Sequence, residues 1–166
     1  MPAPATAGVK VHECRHDHVL ATWKNFAIVI WRHDTSLAAI ENARKMSEEL
    51  IQKHAEGINW FTVIEENATM PSQEARTKIN EVMNRGGKNT LRSALIFEGT
   101  GFRAAATRSV VTGISFVSPL PFPHKIFGTV NTACAWLAGA TKDTDPTALA
   151  NAIEDARTSL LDHTSK

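Results

Sequence analysis

Between residues 18 and 136 the chain alternates extended and helical patterns in the order strand, strand, helix, strand, helix, strand, helix, strand, helix, and no other property restricts the fold as tightly. Residues 18–23 and 26–31 are rich in β-branched and aromatic side chains, and Lys24 and Asn25 between them fit a tight turn, so a β-hairpin opens the sheet. Apolar residues then recur at Leu37, Ile40, Ala43, Met46, Leu50 and Ile51, the spacing of one helix face, with Asp34, Thr35 or Ser36 as N-cap and Gly57 as the stop. Residues 59–64 return as a strand. A second helix from Ser72 is expected to close at Gly86 and Gly87 through a left-handed residue. Residues 91–97 form the next strand, 102–117 a helix broken by Pro119, 125–127 a short strand, and 132–140 a helix carrying Trp136 and Leu137. Strands alternating with helices imply a mixed, partly parallel sheet flanked by helices, an α/β fold of order ββαβαβαβα.

That order, together with the close over 125–137 (a strand, a short turn, then a helix with Trp136 and Leu137), resembles the STAS fold and its SpoIIAA-like branch. The resemblance spans 16–140, leaving 1–15 as a flexible lead and 141–146 as a linker. Beyond it, 147–163 is an extra C-terminal helix whose stripe of Leu149, Ile153, Ala156 and Leu160 must be covered by its own sheet or by a second copy of the chain. The resemblance implies a protein-binding module of bacterial regulation, switched by phosphorylation of a serine at the start of the second helix. By position Thr69 or Ser72 is the counterpart, although the family's Asp-Ser-Ser/Gly-Gly signature is missing and Pro71 makes both residues read as first-turn capping groups. Electrostatics would welcome a phosphate at that helix end.

With 166 residues, 43% of them hydrophobic, the chain can bury a core without metal or disulfide staples. Its 18 basic and 17 acidic side chains leave a net charge of +1, too weak a field for nucleic-acid binding. Two cysteines, Cys14 and Cys134, make no disulfide framework and fit a cytoplasmic setting. The start lacks a signal-peptide pattern, and no run reaches the roughly eighteen apolar residues of a membrane span, so membrane insertion is not expected.

Four local features invite a chemical reading. His12, Cys14, His16 and His18 recur with period two, but ligands about 6.7 Å apart on a straight strand cannot all reach one ion at about 2.0–2.3 Å, so no metal is expected. Gly99 and Gly101, with Ala104, mimic a dinucleotide fingerprint between a strand and a helix. No acidic ribose ligand follows some twenty residues on, which reduces the motif to an anion pocket flanked by Arg103 and Arg108. Leu120, Phe122 and His124 sit in a proline-rich loop that could present them to a partner, the competing reading being that Phe122 folds back onto the sheet. His33 and Asp34, with Glu65 or Glu66, are the best catalytic group at the strand ends, and they read equally well as a strand exit and helix cap. No nucleophile elbow, Walker loop or zinc-protease motif occurs. The sequence therefore reads as a non-enzymatic protein-binding domain without cofactor, capable of self-association. A small-molecule or lipid-binding domain using the sheet–helix crevice is the alternative, and a hydrolytic or metal-dependent enzyme the third.

Overall fold

The computed structural model describes residues 8–99, 120–139, 141 and 143–164, with side chains as far as 159. Six strands form one sheet in chain order: β1 (Lys10–Arg15), β2 (His18–Trp23), β3 (Phe26–Trp31), β4 (Ile58–Ile64), β5 (Thr90–Phe97) and β6 (His124–Phe127). The first three pair antiparallel and the remaining neighbours are parallel. Among the described residues four α-helices flank them: α1 (Leu37–Lys53), α2 (Gln73–Arg85), α3 (Val130–Ala138) and α4 (Pro146–Thr164). The mixed α/β sheet opened by a hairpin is thus present, with an additional strand in front of it. The helix expected over 102–117 lies outside the described residues.

Parallel pairing of β3, β4 and β5 requires a crossover between each pair, and α1 and α2 supply the first two. Both helices lie on one face, where Ile40, Ala43, Met46, Leu50, Ala75 and Val82 pack on Ala27, Val29, Trp31 and Trp60. On the opposite face α3 and α4 cover Ile28, Ile30, Phe61, Val63, Ala94 and Ile96. Side chains alternate between faces along a strand, so neighbouring positions of β4, such as Trp60 and Phe61, serve different layers. Of the apolar residues on the central strands, Ile28, Ile30, Phe61, Val63 and Phe97 are buried. Leu95 is only half-buried. The stripe of α4 finds its cover within the chain: Leu149, Ile153 and Ala156 are fully buried against the domain's own core. Arg157 anchors the same helix through a two-pronged ion pair with Glu98, just beyond β5, with Nη1 2.8 Å from Oε2 and Nη2 on Oε1.

Two expectations about local structure are corrected. Residues 10–15 are not part of a flexible lead but form β1, an edge strand held by β2. A register shift between Val11 and Glu13 breaks the period of two, so the histidines there go separate ways. His12 Nε2 lies 2.9 Å from Thr22 Oγ1, while the His16 ring sits 6.2 Å from that of His33. The end of α2 is not left-handed either: Gly86 has φ −86° and leads into a 3-10 turn over Gly87–Asn89. Glycine is needed at 87 for another reason, because a Cβ there would run into the ring of Pro121.

The hairpin of β1 and β2 is fastened to α1 by a buried polar cluster. His18, 2% exposed, has Nδ1 2.7 Å from Asp17 Oδ1 and Nε2 3.0 Å from Glu13 Oε1, and its ring lies against Trp31. Asn42 on α1 donates to the other oxygen of Glu13 at 2.6 Å. Burial pushes the Glu13 carboxyl up, but hydrogen bonds from Arg15, His18 and Asn42 outweigh it and leave the group below its ordinary value of 4.5. A depressed folded-state value stabilises the fold above pH 4.5, and that contribution disappears as pH falls through the folded-state value. Melting curves should therefore show a deficit for Glu13→Gln that is largest near neutral pH and closes as the solution is acidified below 4.5.

Candidate functional site

Strand register determines what faces α2. Trp60 of β4 pairs with Ser93 of β5, which pairs with His124 of β6, giving a rung across three strands. The next rung is Val29, Thr62 and Leu95, and the one above it Trp31 and Ile64. On the opposite face the equivalent rungs are Ile28, Phe61, Ala94 and Lys125, then Ile30, Val63, Ile96 and Phe127, while the rung before them holds Phe26, Asn59 and Arg92. On the α2 face the central rungs carry the short side chains Thr62 and Ser93, where the opposite face has Phe61 and Val63 of β4 and Ala94 and Ile96 of β5.

A cavity of about 160 Å³ lies over these rungs. Ile40 and Ala43 of α1, Ile79, Val82 and Met83 of α2, and Ala68, Met70 and Pro71 of the connection from β4 to α2 complete its apolar wall, together with Leu120. Its size matches the engineered cavity of about 150 Å³ that takes benzene and falls short of the roughly 300–1,000 Å³ of drug-sized sites. A single ring or short acyl chain fits; a lipid tail does not.

The polar groups on the wall differ in how well they are satisfied. Ser93, 2% exposed, has its Oγ 3.1 Å from His124 Nδ1, so these two serve one another. Burial pushes the His124 imidazole below 6.5, leaving it uncharged at neutral pH. Arg76 and Asn80 stand one turn apart on α2, which puts them on one side of the helix. Among the described residues neither side chain has a hydrogen bond or ion pair, whereas Lys78 on the same helix reaches Glu41 at 3.5 Å. No aspartate or glutamate belongs to the described lining. The described lining is therefore apolar, with Arg76 as its one side-chain cation lacking an ion-pair partner among the described residues.

Other residues singled out by the sequence are placed elsewhere or differently. Ser72 is the N-cap of α2, its Oγ accepting from Ala75 N at 3.1 Å. Thr69, at the cavity's edge, donates its hydroxyl to Asp34 Oδ1 at 2.6 Å and its backbone N–H to the His33 carbonyl. Glu65 lies 3.7 Å from Arg32 Nε. His33, Asp34 and Glu65 make no catalytic group: Asp34 accepts from Thr69, Glu65 faces Arg32, and the cap of α1 is Ser36. Glu66 packs beside Gly99, whose φ of +104° and contact with Glu66 Cγ exclude a side chain. Gly101, Arg103 and Arg108, the rest of the expected anion pocket, lie outside the described residues. The loop expected to present Leu120, Phe122 and His124 turns inward: Phe122 is 7% exposed, while Leu120 and His124 line the cavity. A short connection into β6 leaves these side chains little choice but the nearest apolar space. Among the described residues no three His, Cys, Asp or Glu side chains gather as a metal site, and no helix is long and apolar enough to cross a membrane. Cys134 is buried, with its thiol pushed up to about 12, which removes it as a nucleophile. Arg76, Asn80, Thr62 and Ser93 carried no motif and were not selected from the sequence; the one available signal was a polar residue at inward positions of β4 and β5.

The fold and site define a three-layer α/β domain with a small, partly open apolar cavity. Compared with protein-family models, curated proteins and solved structures, the chain matches none.

Thr69 and Ser72 respond oppositely to added negative charge. A carboxylate at 69 would face Asp34, so Thr69→Glu should lower the melting temperature. Ser72→Asp retains a cap at the positive end of α2 and should leave it unchanged or higher, whereas Ser72→Ala should lose about 0.5–2 kcal/mol in chemical denaturation.

Proposed function

We propose that this chain is a non-enzymatic binding domain whose ligand is a small apolar molecule held between α1, α2 and the sheet. The observation that carries this reading is the cavity itself, roofed by apolar side chains of two helices and floored by the Trp60, Thr62 and Leu95 positions of a rigid sheet. It favours the small-molecule alternative over a protein partner, because Leu120, Phe122 and His124 point inward. Hydrolysis has weaker support: Ser93 and His124 are adjacent, yet no carboxylate in the described lining orients the imidazole.

A second reading, a STAS or SpoIIAA-like regulatory domain of the bacterial cytoplasm that meets a protein partner, is favoured by Ser72, exposed at the first turn of α2 where phosphate would meet the helix's positive end. Both readings can hold for one chain, with the cavity beneath the switch helix.

Trp31 and Trp60 line the cavity and report on its occupancy. Bromobenzene, whose heavy atom quenches indole emission, should quench saturably and raise the melting temperature. Ala43→Leu, which fills the cavity from α1, should abolish both effects without unfolding the protein. Quenching that rises linearly without saturation, with no thermal shift, would remove the cavity as a binding site.

A further inference from the structure

Resting on the cavity reading, we infer that the ligand is a carboxylate: a single aromatic ring or short acyl chain bearing one negative charge, read by Arg76 with Asn80 beside it. Charge and satisfaction point the same way. Ser93 and His124 complete each other's hydrogen bonding and demand nothing from a ligand. Arg76 and Asn80 line the apolar space from one side of α2, and neither side chain has a partner among the described residues. An unpaired guanidinium beside apolar surface favours an anion, and its planar fork matches a carboxylate through two parallel N–H donors. Arg76 lies in the first turn of α2, so the helix's partial positive charge acts in the same direction.

The wall also limits the charge of the ligand. Arg76 is the one cation in the described lining, and His124 is buried beside Ser93. A phosphate dianion would keep an uncompensated charge next to Trp31, Ile79 and Leu95, whereas a carboxylate is neutralised by a single arginine. The volume that admits about one ring sets the remainder of the molecule.

The test uses phenylacetate, its uncharged isostere phenylacetamide, and bromobenzene as the apolar probe, each titrated calorimetrically into the full chain. Phenylacetate is expected to bind at least about tenfold tighter than the amide. Arg76→Gln should abolish that preference while leaving bromobenzene affinity and the melting temperature unchanged, since glutamine is a good helix former. Lys78→Gln, which removes a charge from α2 already paired with Glu41, should retain the preference. Equal or tighter binding of the amide, or a preference that survives Arg76→Gln, overturns the carboxylate assignment. Bromobenzene binding without phenylacetate binding overturns it while the cavity reading stands, and failure of all three probes removes both.

Discussion

Parallel pairing of β4 with β3 on one side and β5 on the other is the constraint from which the remaining geometry follows. Over Phe26 to Trp31 the register with 59–64 runs without interruption, and β5 continues it from Arg92 to Phe97. Pairing uses up both edges of β4 and leaves its two faces, of which Phe61 and Val63 occupy one and Trp60 the other, and helices cover both. The crossovers place α1 and α2 over Trp60, and the chain's C-terminal helices close the opposite side. Strand β4 is therefore the point at which the two apolar clusters meet without mixing.

Separation of the clusters lets the two faces differ. Beneath α3 and α4 the central rungs bury Ile28, Phe61 and Ile96 against Leu137 of α3 and Ile153 of α4, with no exposed surface left on any of them. Beneath α2 the rungs include Thr62 and Ser93, and the layer contains a void. A gap in a packed layer forfeits dispersion contacts and lowers stability unless something occupies it. A domain with its principal core on the other face tolerates that loss. The same void yields free energy on binding, because a ligand restores the missing contacts and removes apolar surface from water. The polar cluster of Glu13, Asp17, His18 and Asn42 acts at the far edge, fastening the β1–β2 hairpin to α1 and thereby steadying the helix that forms one side of the void.

The fold was largely legible because its strands and helices have strong, opposed periodicities: the run at 26–31 and the stripe from Leu37 to Ile51 admit few alternatives. Strand β1 was not, since an edge strand with one partner tolerates Lys10, His12 and Arg15, and polar alternation of that kind is also how a loop reads. The end of α2 was misread because glycine serves two purposes; at 87 it makes room for Pro121 and does not supply a left-handed turn. The cavity was illegible for a different reason. Its wall combines residues from β3, β4, β5, β6, α1 and α2, and a void is a property of summed volumes across those elements, with no local pattern to mark it. Arg76 is marked by no local pattern, and Leu120 read as exposed because the apolar space it lines forms only when β6 joins the sheet; for Phe122 the sequence left both readings open, and the buried one holds.

Binding in the proposed manner requires the space between α2 and the sheet to be open, apolar and able to accept an atom-sized guest without rearrangement. Pressurising crystals of the protein with xenon tests it directly, since xenon enters dry apolar cavities and scatters strongly. The account predicts an anomalous peak bounded by Trp60, Thr62, Ile79, Met83 and Leu95, with these side chains in the same rotamers before and after pressurisation. A map without xenon at that position, or one in which Met83 and Leu95 have collapsed to fill the space, would contradict it.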